Sequence, residues 1–431
     1  VAAVLFLPVF GGPVLAQAPS KVEQQLVAHV DQHLGEGKAL LERVVNINSG
    51  TMHFAGVKQV ADVLRKEFEA LGFTVKWVDG APFGRAGHLV AERGSKGPRV
   101  LLIGHMDTVF EEDSPFQSFK WVGDTAAAGP GVTDMKGGDV IMIQALKALK
   151  SNGELDKLRL TVVLTGDEEN TGEPQDVARQ ALRDAARGAD YALGFEDADG
   201  DPRHIVIGRR GTVAWTLNVH GHPAHSSQIF RPENGPGAIY EAARILNEFR
   251  LRLGGDPLVT FNPGAIVGGT TVTYDVPQSR GTAFGKDNVI AGQVVATGDL
   301  RTISVEAREK AKNVMRQIVA DSMPHTGASI TFEDGYPPMA PTEGNRKLLA
   351  LVDQVSQGLG QGPVTEVDPS RAGAADVSFV ADLVPAVIDG LGLKGTGGHT
   401  VEEVADMNTF PVQIKRTALL LSRLARLTPA T

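Results

Sequence analysis

The chain has 431 residues, with 42 Lys and Arg against 51 Asp and Glu for a formal net charge of -9, a 42% hydrophobic fraction and no cysteine. That length favours two domains or one large one, since single cores stop growing near roughly 250 to 300 residues, and the composition excludes disorder, collagen and a multispanning membrane protein. Without cysteine there is no disulfide framework, thiolate metal site, iron-sulfur cluster or Cys nucleophile, and the acidic balance, with no dense Lys/Arg patch, argues against nucleic acid.

Residues 1–18 read as a signal peptide. The stretch is apolar from Val1 to Val14, is broken by Gly11-Gly12-Pro13, and ends in Ala16-Gln17-Ala18, which has the small-x-small form of a cleavage site. It is shorter than the ~20 apolar residues of a membrane span, and Pro8 and Pro13 oppose a buried helix. The expectation is an exported chain, periplasmic or secreted, without stable membrane insertion.

From residue 20 the pattern alternates helix and strand. Val22 to Val45 and Val57 to Leu71 have helical periodicity, and Arg99 to Ile103 is a short apolar run of the buried parallel-strand type. Helix Val140 to Leu149, strand Leu158 to Leu164, helix Val177 to Ala186 and strand Tyr191 to Phe195 follow, predicting an α/β sheet with helices on both faces. After Gly208-Arg209-Arg210-Gly211 the rhythm changes. Thr212 to Val219 alternates with Val213, Trp215, Leu217 and Val219 on one face. Helix Ala238 to Leu251, strands near Leu258 to Val267 and Val289 to Leu300, helix Val305 to Met323 and strand Ser329 to Glu333 complete a split-βαβ, ferredoxin-like α+β order. Helix Asn345 to Leu359 and strand Ala386 to Ile388 resume the α/β pattern. The predicted organisation is a leader (1–18), a first catalytic segment (20–207), an inserted α+β domain (208–324) and a second catalytic segment (325–427).

Four predicted strands deliver imidazole or acid at or beyond their carboxyl ends, the edge where open α/β sheets bind ligands. Arg99 to Ile103 runs into His105 and Asp107, Leu158 to Leu164 into Glu168 and Glu169, Tyr191 to Phe195 into Glu196, and Ala386 to Ile388 leads to His399. Asp134 sits in a glycine-rich loop before a helix. Singly, each reads as a loop histidine, a solvated acid or a turn residue. Together they make a His and carboxylate set that suits zinc, or cobalt and manganese as substitutes. In the Glu168-Glu169 pair, one carboxylate can bind metal while its neighbour handles a proton.

Gly104-His105-Met106-Asp107-Thr108-Val109, Gly129-Pro130-Gly131 through Asp134-Met135-Lys136-Gly137-Gly138, Asp167-Glu168-Glu169, Phe195-Glu196 and Gly397-Gly398-His399 follow one another in an order that resembles the M20 family of co-catalytic zinc hydrolases. The resemblance spans nearly the whole chain after the leader and is greatest to the glutamate carboxypeptidase branch. It implies two zinc ions bridged by Asp134, with His105 and Glu196 on one, Glu169 and His399 on the other, and a cis bond at Asp134-Met135. It also implies that Asp107 orients His105 and that Glu168 is the general base that activates water against an amide carbonyl. The inserted domain resembles the family's dimerisation lid, in which His225 would reach a neighbouring active site to stabilise an oxyanion. Asn288, Arg301 and Arg371 would contact substrate, an arginine being suited to a carboxylate.

Two positions depart from the pattern: Ala375 stands where a hydroxyl residue usually precedes the acid, and Met135 where a second acid often follows Asp134. Glu196, rather than Asp, resembles the carboxypeptidase and deacylase members. The expected protein is a homodimeric dizinc amidohydrolase releasing a C-terminal amino acid from a small peptide or N-acyl amino acid. The alternatives are a deacylase or dipeptidase of the same family, or a non-catalytic exported binding protein. The last would predict a damaged ligand set, whereas all five positions hold competent donors. No Gly-x-Ser-x-Gly elbow points to a serine hydrolase.

Overall fold

The computed structural model describes residues 18–427 apart from residue 277, so the expected leader, residue 18 aside, lies outside the described residues. Helix α1 (Lys21–Val45) opens on a capping box in which the Ser20 hydroxyl accepts from the Glu23 amide and the Glu23 carboxylate accepts from the Ser20 amide. There follow α2 (Phe54–Ala70), β1 (Thr74–Asp79), β2 (Gly87–Arg93), β3 (Arg99–His105), α3 (Lys136–Ser151), β4 (Arg159–Thr165), α4 (Gln180–Ala186) and β5 (Tyr191–Gly194). The inserted unit comprises β6 (Gly211–Gly221), α5 (Ala238–Leu253), β7 (Val259–Gly269), β8 (Thr271–Asp275), β9 (Arg280–Phe284), β10 (Gln293–Thr302), α6 (Val305–Ala320) and β11 (Thr326–Asp334). The chain then returns through α7 (Glu343–Gly358), β12 (Val387–Ile388) and α8 (Thr409–Leu424).

The catalytic unit is built on a six-stranded mixed sheet ordered β1-β2-β4-β3-β5-β12. Strands β4, β3, β5 and β12 run parallel to one another, β2 runs antiparallel to its neighbour β4, and β1 is antiparallel to β2. Alternation along β3 sends Val100 and Leu102 into the core under α1, α2, α3 and α8, and Leu101 and Ile103 into a thinner layer with Leu182, Val377 and Val380. Both faces are therefore dry, which is why the strand reads as an unbroken apolar run; Leu101 and Leu102 are each fully buried, worth roughly 1.5 to 3 kcal/mol apiece. Strands β1 and β2 and helix α8 went unpredicted.

The inserted sheet is antiparallel, ordered β7-β10-β6-β11, with Val213, Trp215, Leu217 and Val219 packed beneath α5 and α6. Its boundary corrects the expected limit of 324. Strand β11 pairs with β6 from Thr326 opposite Gly221 to Asp334 opposite Val213, so the unit extends to Asp334. Among the described residues, no helix is long and apolar enough to cross a membrane.

Candidate active site

The carboxyl ends of β3, β4 and β5 lie side by side, and the loops leaving them meet two others. One carries Asp134 into α3 and the other carries His399. A small four-stranded sheet joins these loops: residues 126–128 pair with 404–406, which pair with 395–396. The α3 end comes close because Gly138 lacks a side chain, a Cβ there falling 2.0 Å from the carbonyl oxygen of Phe195, next to Glu196. The expected cis bond joins Asp134 to Met135.

Two donor triads share Asp134, one with His105 and Glu196 and one with Glu169 and His399; within each, the donor atoms lie within 4.8 Å of one another. His105 Nε2 is 3.0 Å from Asp134 Oδ1 and 3.4 Å from Glu196 Oε1. His399 Nε2 is 3.0 Å from both Asp134 Oδ2 and Glu169 Oε2. On the far side of the His105 ring, Nδ1 lies 3.0 Å from the main-chain oxygen of Asp107, an acceptor that needs the proton on Nδ1 and leaves Nε2 free to ligate. The Asp107 carboxylate does more than face His105 at 3.4 Å. It accepts from the amides of Glu168 (3.1 Å) and Glu169 (3.2 Å) and from the Thr51 hydroxyl (2.7 Å), fixing the paired acids.

The electrostatics match a cation site. Burial raises the Glu168 carboxyl well above its ordinary range, and Asp376, Glu196 and Glu169 add to it. Burial, with Asp134 nearby, pushes Glu169 to about 7 against the pull of His399, and likewise raises Glu196. Burial alone would raise Asp134, but hydrogen bonds from His105 and His399 outweigh it and hold the carboxyl below its usual range. Hydrogen bonds to Asp134 and Glu169 lift His399 to about 11. Glu169 Oε1 is buried without a hydrogen-bond partner among the described residues. Six clustered N and O donors, one carboxylate shared, and an orphaned buried oxygen fit two divalent cations.

The lid residues are brought together only in part. His225 and Asn288 are neighbours: His225 bridges to Val289, and the Ser226 amide donates to the Asn288 carbonyl at 2.9 Å. Arg301 sits near the other end of β10, opposite Thr212, with its Nε on Asp299 at 2.9 Å. Arg371 is paired with Asp199 at 3.0 Å and is 60% exposed.

Several buried polar residues escaped the sequence reading. Glu403 binds the amides of Gly131, Thr133 and Asp134; an acid four residues beyond a candidate ligand histidine was the available signal. Lys136 Nζ donates to the Ile47 carbonyl at 2.9 Å, and burial lowers its pKa to about 7. Asp376 pairs with Arg179 at 2.8 Å and accepts from the Thr165 hydroxyl at 2.6 Å.

Comparison with known proteins agrees with this geometry. Residues 101–423 match the model of peptidase family M20/M25/M40. Carboxypeptidase G2 of Pseudomonas sp. (strain RS-16) is 28% identical over 425 residues, covering 98% of this chain and 96% of that relative. Succinyl-diaminopimelate desuccinylase of Magnetococcus marinus is 28% identical over 390 residues, covering 84% and 92%. The fold is shared with aminopeptidase PepT from Bacillus cereus (TM-score 0.69, 19% identity, covering 94% of this chain and 99% of that one). It is also shared with the Bacillus subtilis YXEP protein, a dinuclear metal-binding M20 peptidase (TM-score 0.61, 16% identity, 91% and 100%). The chain belongs to peptidase family M20/M25/M40 and is a metallopeptidase or amidohydrolase of that family.

Proposed function

We propose that this enzyme removes a C-terminal, glutamate-like amino acid from a small peptide or N-acyl conjugate, using two zinc ions. The observation that carries the reading is Asp134, whose two oxygens each face a different imidazole at 3.0 Å. His105, Glu196 and Asp134 would hold one ion, and Glu169, His399 and Asp134 the other. When bound, such a pair supplies Lewis acidity that polarises an amide carbonyl and lowers the pKa of water. Glu168 takes the proton of the attacking water and passes it to the leaving amine, a role suited to a carboxyl whose pKa burial has raised.

His225 is the oxyanion donor in this reading. The Ser227 amide donates to its Nδ1 at 3.2 Å, so the neutral ring carries its proton on Nε2. Strand register separates His225 and Asn288 from Arg301 by most of β10, roughly 25 to 30 Å at ~3.3 Å per residue. A lid-mediated homodimer, in which His225 and Asn288 serve the other subunit and Arg301 meets the substrate carboxylate in its own, reconciles the three; the leader reading makes the protein exported. An N-acyl-amino-acid deacylase or dipeptidase is the second reading, favoured by Ala375 and by desuccinylase relatives at the same identity.

The test is metal analysis of protein purified without chelator, with hydrolysis of a panel of N-acyl amino acids, N-acyl glutamates and dipeptides after zinc addition. Preferential release of C-terminal glutamate is expected; no hydrolysis of any member would leave only a binding role.

A further inference from the structure

The chain passes between the catalytic unit and the lid twice, and the two passages are paired to each other. The amides of Arg209 and Met339 each donate to the other's carbonyl at 2.9 Å. The Thr212 amide donates to the Tyr336 carbonyl at 2.9 Å, and the Tyr336 amide donates to the Thr212 hydroxyl at 3.1 Å. These four residues form a two-stranded hinge, so a change in lid angle must be absorbed here or next to it.

Each passage also sends one polar side chain from this hinge toward the catalytic carboxylates. The Tyr336 hydroxyl donates to the main-chain carbonyl of Glu168 at 2.8 Å. It lies 3.1 Å from Thr171 Oγ1 and accepts from Arg179 at 3.1 Å, and Arg179 is itself held by Asp167 at 2.6 Å. The hydroxyl's one proton and its lone pairs are thus all engaged. From the other passage, Arg209 places Nε and a terminal nitrogen 3.1 and 2.7 Å from Asp389 Oδ2. The second oxygen of Asp389 accepts from the amide of Glu196 at 3.1 Å. A surface hinge needs no such connections. Buried polar bridges of this kind fix geometry tightly, because breaking one strands a desolvated group.

We propose that Tyr336 is a positioning residue that ties the hinge to Glu168, with Arg209 making the parallel tie to Glu196, so that the lid angle sets the placement of both catalytic carboxylates. The proposal rests on the reading of Glu168 as the general base. Substrate drawn against the lid would rotate the hinge and, through Tyr336, bring the Glu168 main chain into register with the attacking water.

Tyr336→Phe tests this, since the ring and its edge contact with Phe379, at 4.8 Å between centroids, are kept while the hydroxyl is lost. Because the chain contains no cysteine, Glu42→Cys and Lys310→Cys place one spin label on α1 and one on the lid without background. Tyr336→Phe is expected to lower kcat about tenfold to a hundredfold with KM within about twofold and zinc content unchanged, and to widen the label-to-label distance distribution. A kcat within about twofold of wild type, or a distance distribution that matches wild type, would overturn the proposal. If the parent protein hydrolyses nothing in the substrate panel, the proposed function fails by itself, and the distance measurement still decides whether Tyr336 holds the hinge.

Discussion

Glu403 Oε1 lies 2.8 Å from the amide nitrogen of Thr133 and 2.9 Å from its hydroxyl, while Oε2 lies 2.9 Å from the Gly131 amide. A single buried carboxylate from the His399 loop thereby gathers the loop that presents Asp134. The two halves of the shared ligand site, far apart in sequence, become one rigid piece.

Glu403→Gln keeps one acceptor but turns an amide NH2 toward backbone N–H groups, leaving at least one donor unsatisfied at a cost of roughly 1 to 3 kcal/mol. Zinc affinity should fall about 10- to 100-fold, as for other residues that orient ligands, with a lower Tm. Competition against a fluorescent chelator measures the affinity; unchanged binding would show that the Asp134 loop holds its shape alone.

The adjacent acids should separate cleanly. Glu168→Gln is expected to retain two zinc ions per chain and lose about 100-fold or more in kcat, whereas Glu169→Gln should lose metal. Elemental analysis beside turnover distinguishes them. Metal loss from the Glu168 variant would mean that the roles are exchanged.

What was legible in the sequence was whatever local chemistry dictates. The apolar run Arg99 to Ile103 has the pattern of a doubly buried strand, and five ligand residues at strand ends or in a glycine-rich loop marked one sheet edge. Strands β1 and β2 were hidden because Lys76 and His88 interrupt their apolar pattern. Helix α8 was hidden because Gln413, Arg416 and Thr417 are buried among its leucines, and because Pro411 suggests a break although it falls in the first turn, where a helix loses no bond. The exposed hairpin β8-β9 buries no face that could impose periodicity. Contacts such as Tyr336 to Glu168, 168 residues apart, leave no local pattern, and acids such as Glu403 read as surface until the fold encloses them.

Asp139 is fully buried, both its oxygens lack hydrogen-bond partners among the described residues, and burial raises its pKa well above the ordinary value. A carboxyl raised in the folded state favours folding below its unfolded pKa of ~3.9 and loses that contribution as pH rises through the folded pKa. Asp139→Asn removes the ionisable group, so in chelator-treated protein it should raise Tm at neutral pH. The gain should shrink toward pH 4. A destabilised variant would show that Asp139 is ionised and held by a cation.

With His399 lifted to about 11 by its hydrogen bonds to Asp134 and Glu169, and Glu169 raised to about 7 by burial and Asp134 against the pull of His399, His399 is protonated and Glu169 partly so at neutral pH, and a metal must displace those protons. Zinc affinity of chelator-treated protein should therefore rise with pH, about tenfold per unit for each proton released. The sign for stability is opposite: the contribution of protonated His399 is present below its unfolded pKa and disappears as pH rises through about 11. Calorimetric zinc titration in two buffers of different ionisation enthalpy counts the protons; a count of zero at pH 7 would contradict the arrangement.

His225 and Glu168 provide the test of whether the active site is shared between subunits. His225→Ala and Glu168→Gln should each abolish most activity as homodimers. In a mixed dimer, the His225→Ala chain supplies an intact Glu168 while its Glu168→Gln partner supplies an intact His225, so one of the two sites is complete. Random reassociation makes about half of the dimers mixed, which returns about a quarter of wild-type activity if the assembly is a two-fold dimer. If His225 acts only within its own chain, no mixed dimer contains a complete site and mixing restores nothing. Turnover before and after exchange, with mass spectrometry to confirm the mixed species, distinguishes the two cases. Silent mixed dimers would confine each lid to its own catalytic unit and remove the reason for placing Asn288 and Arg301 on opposite subunits.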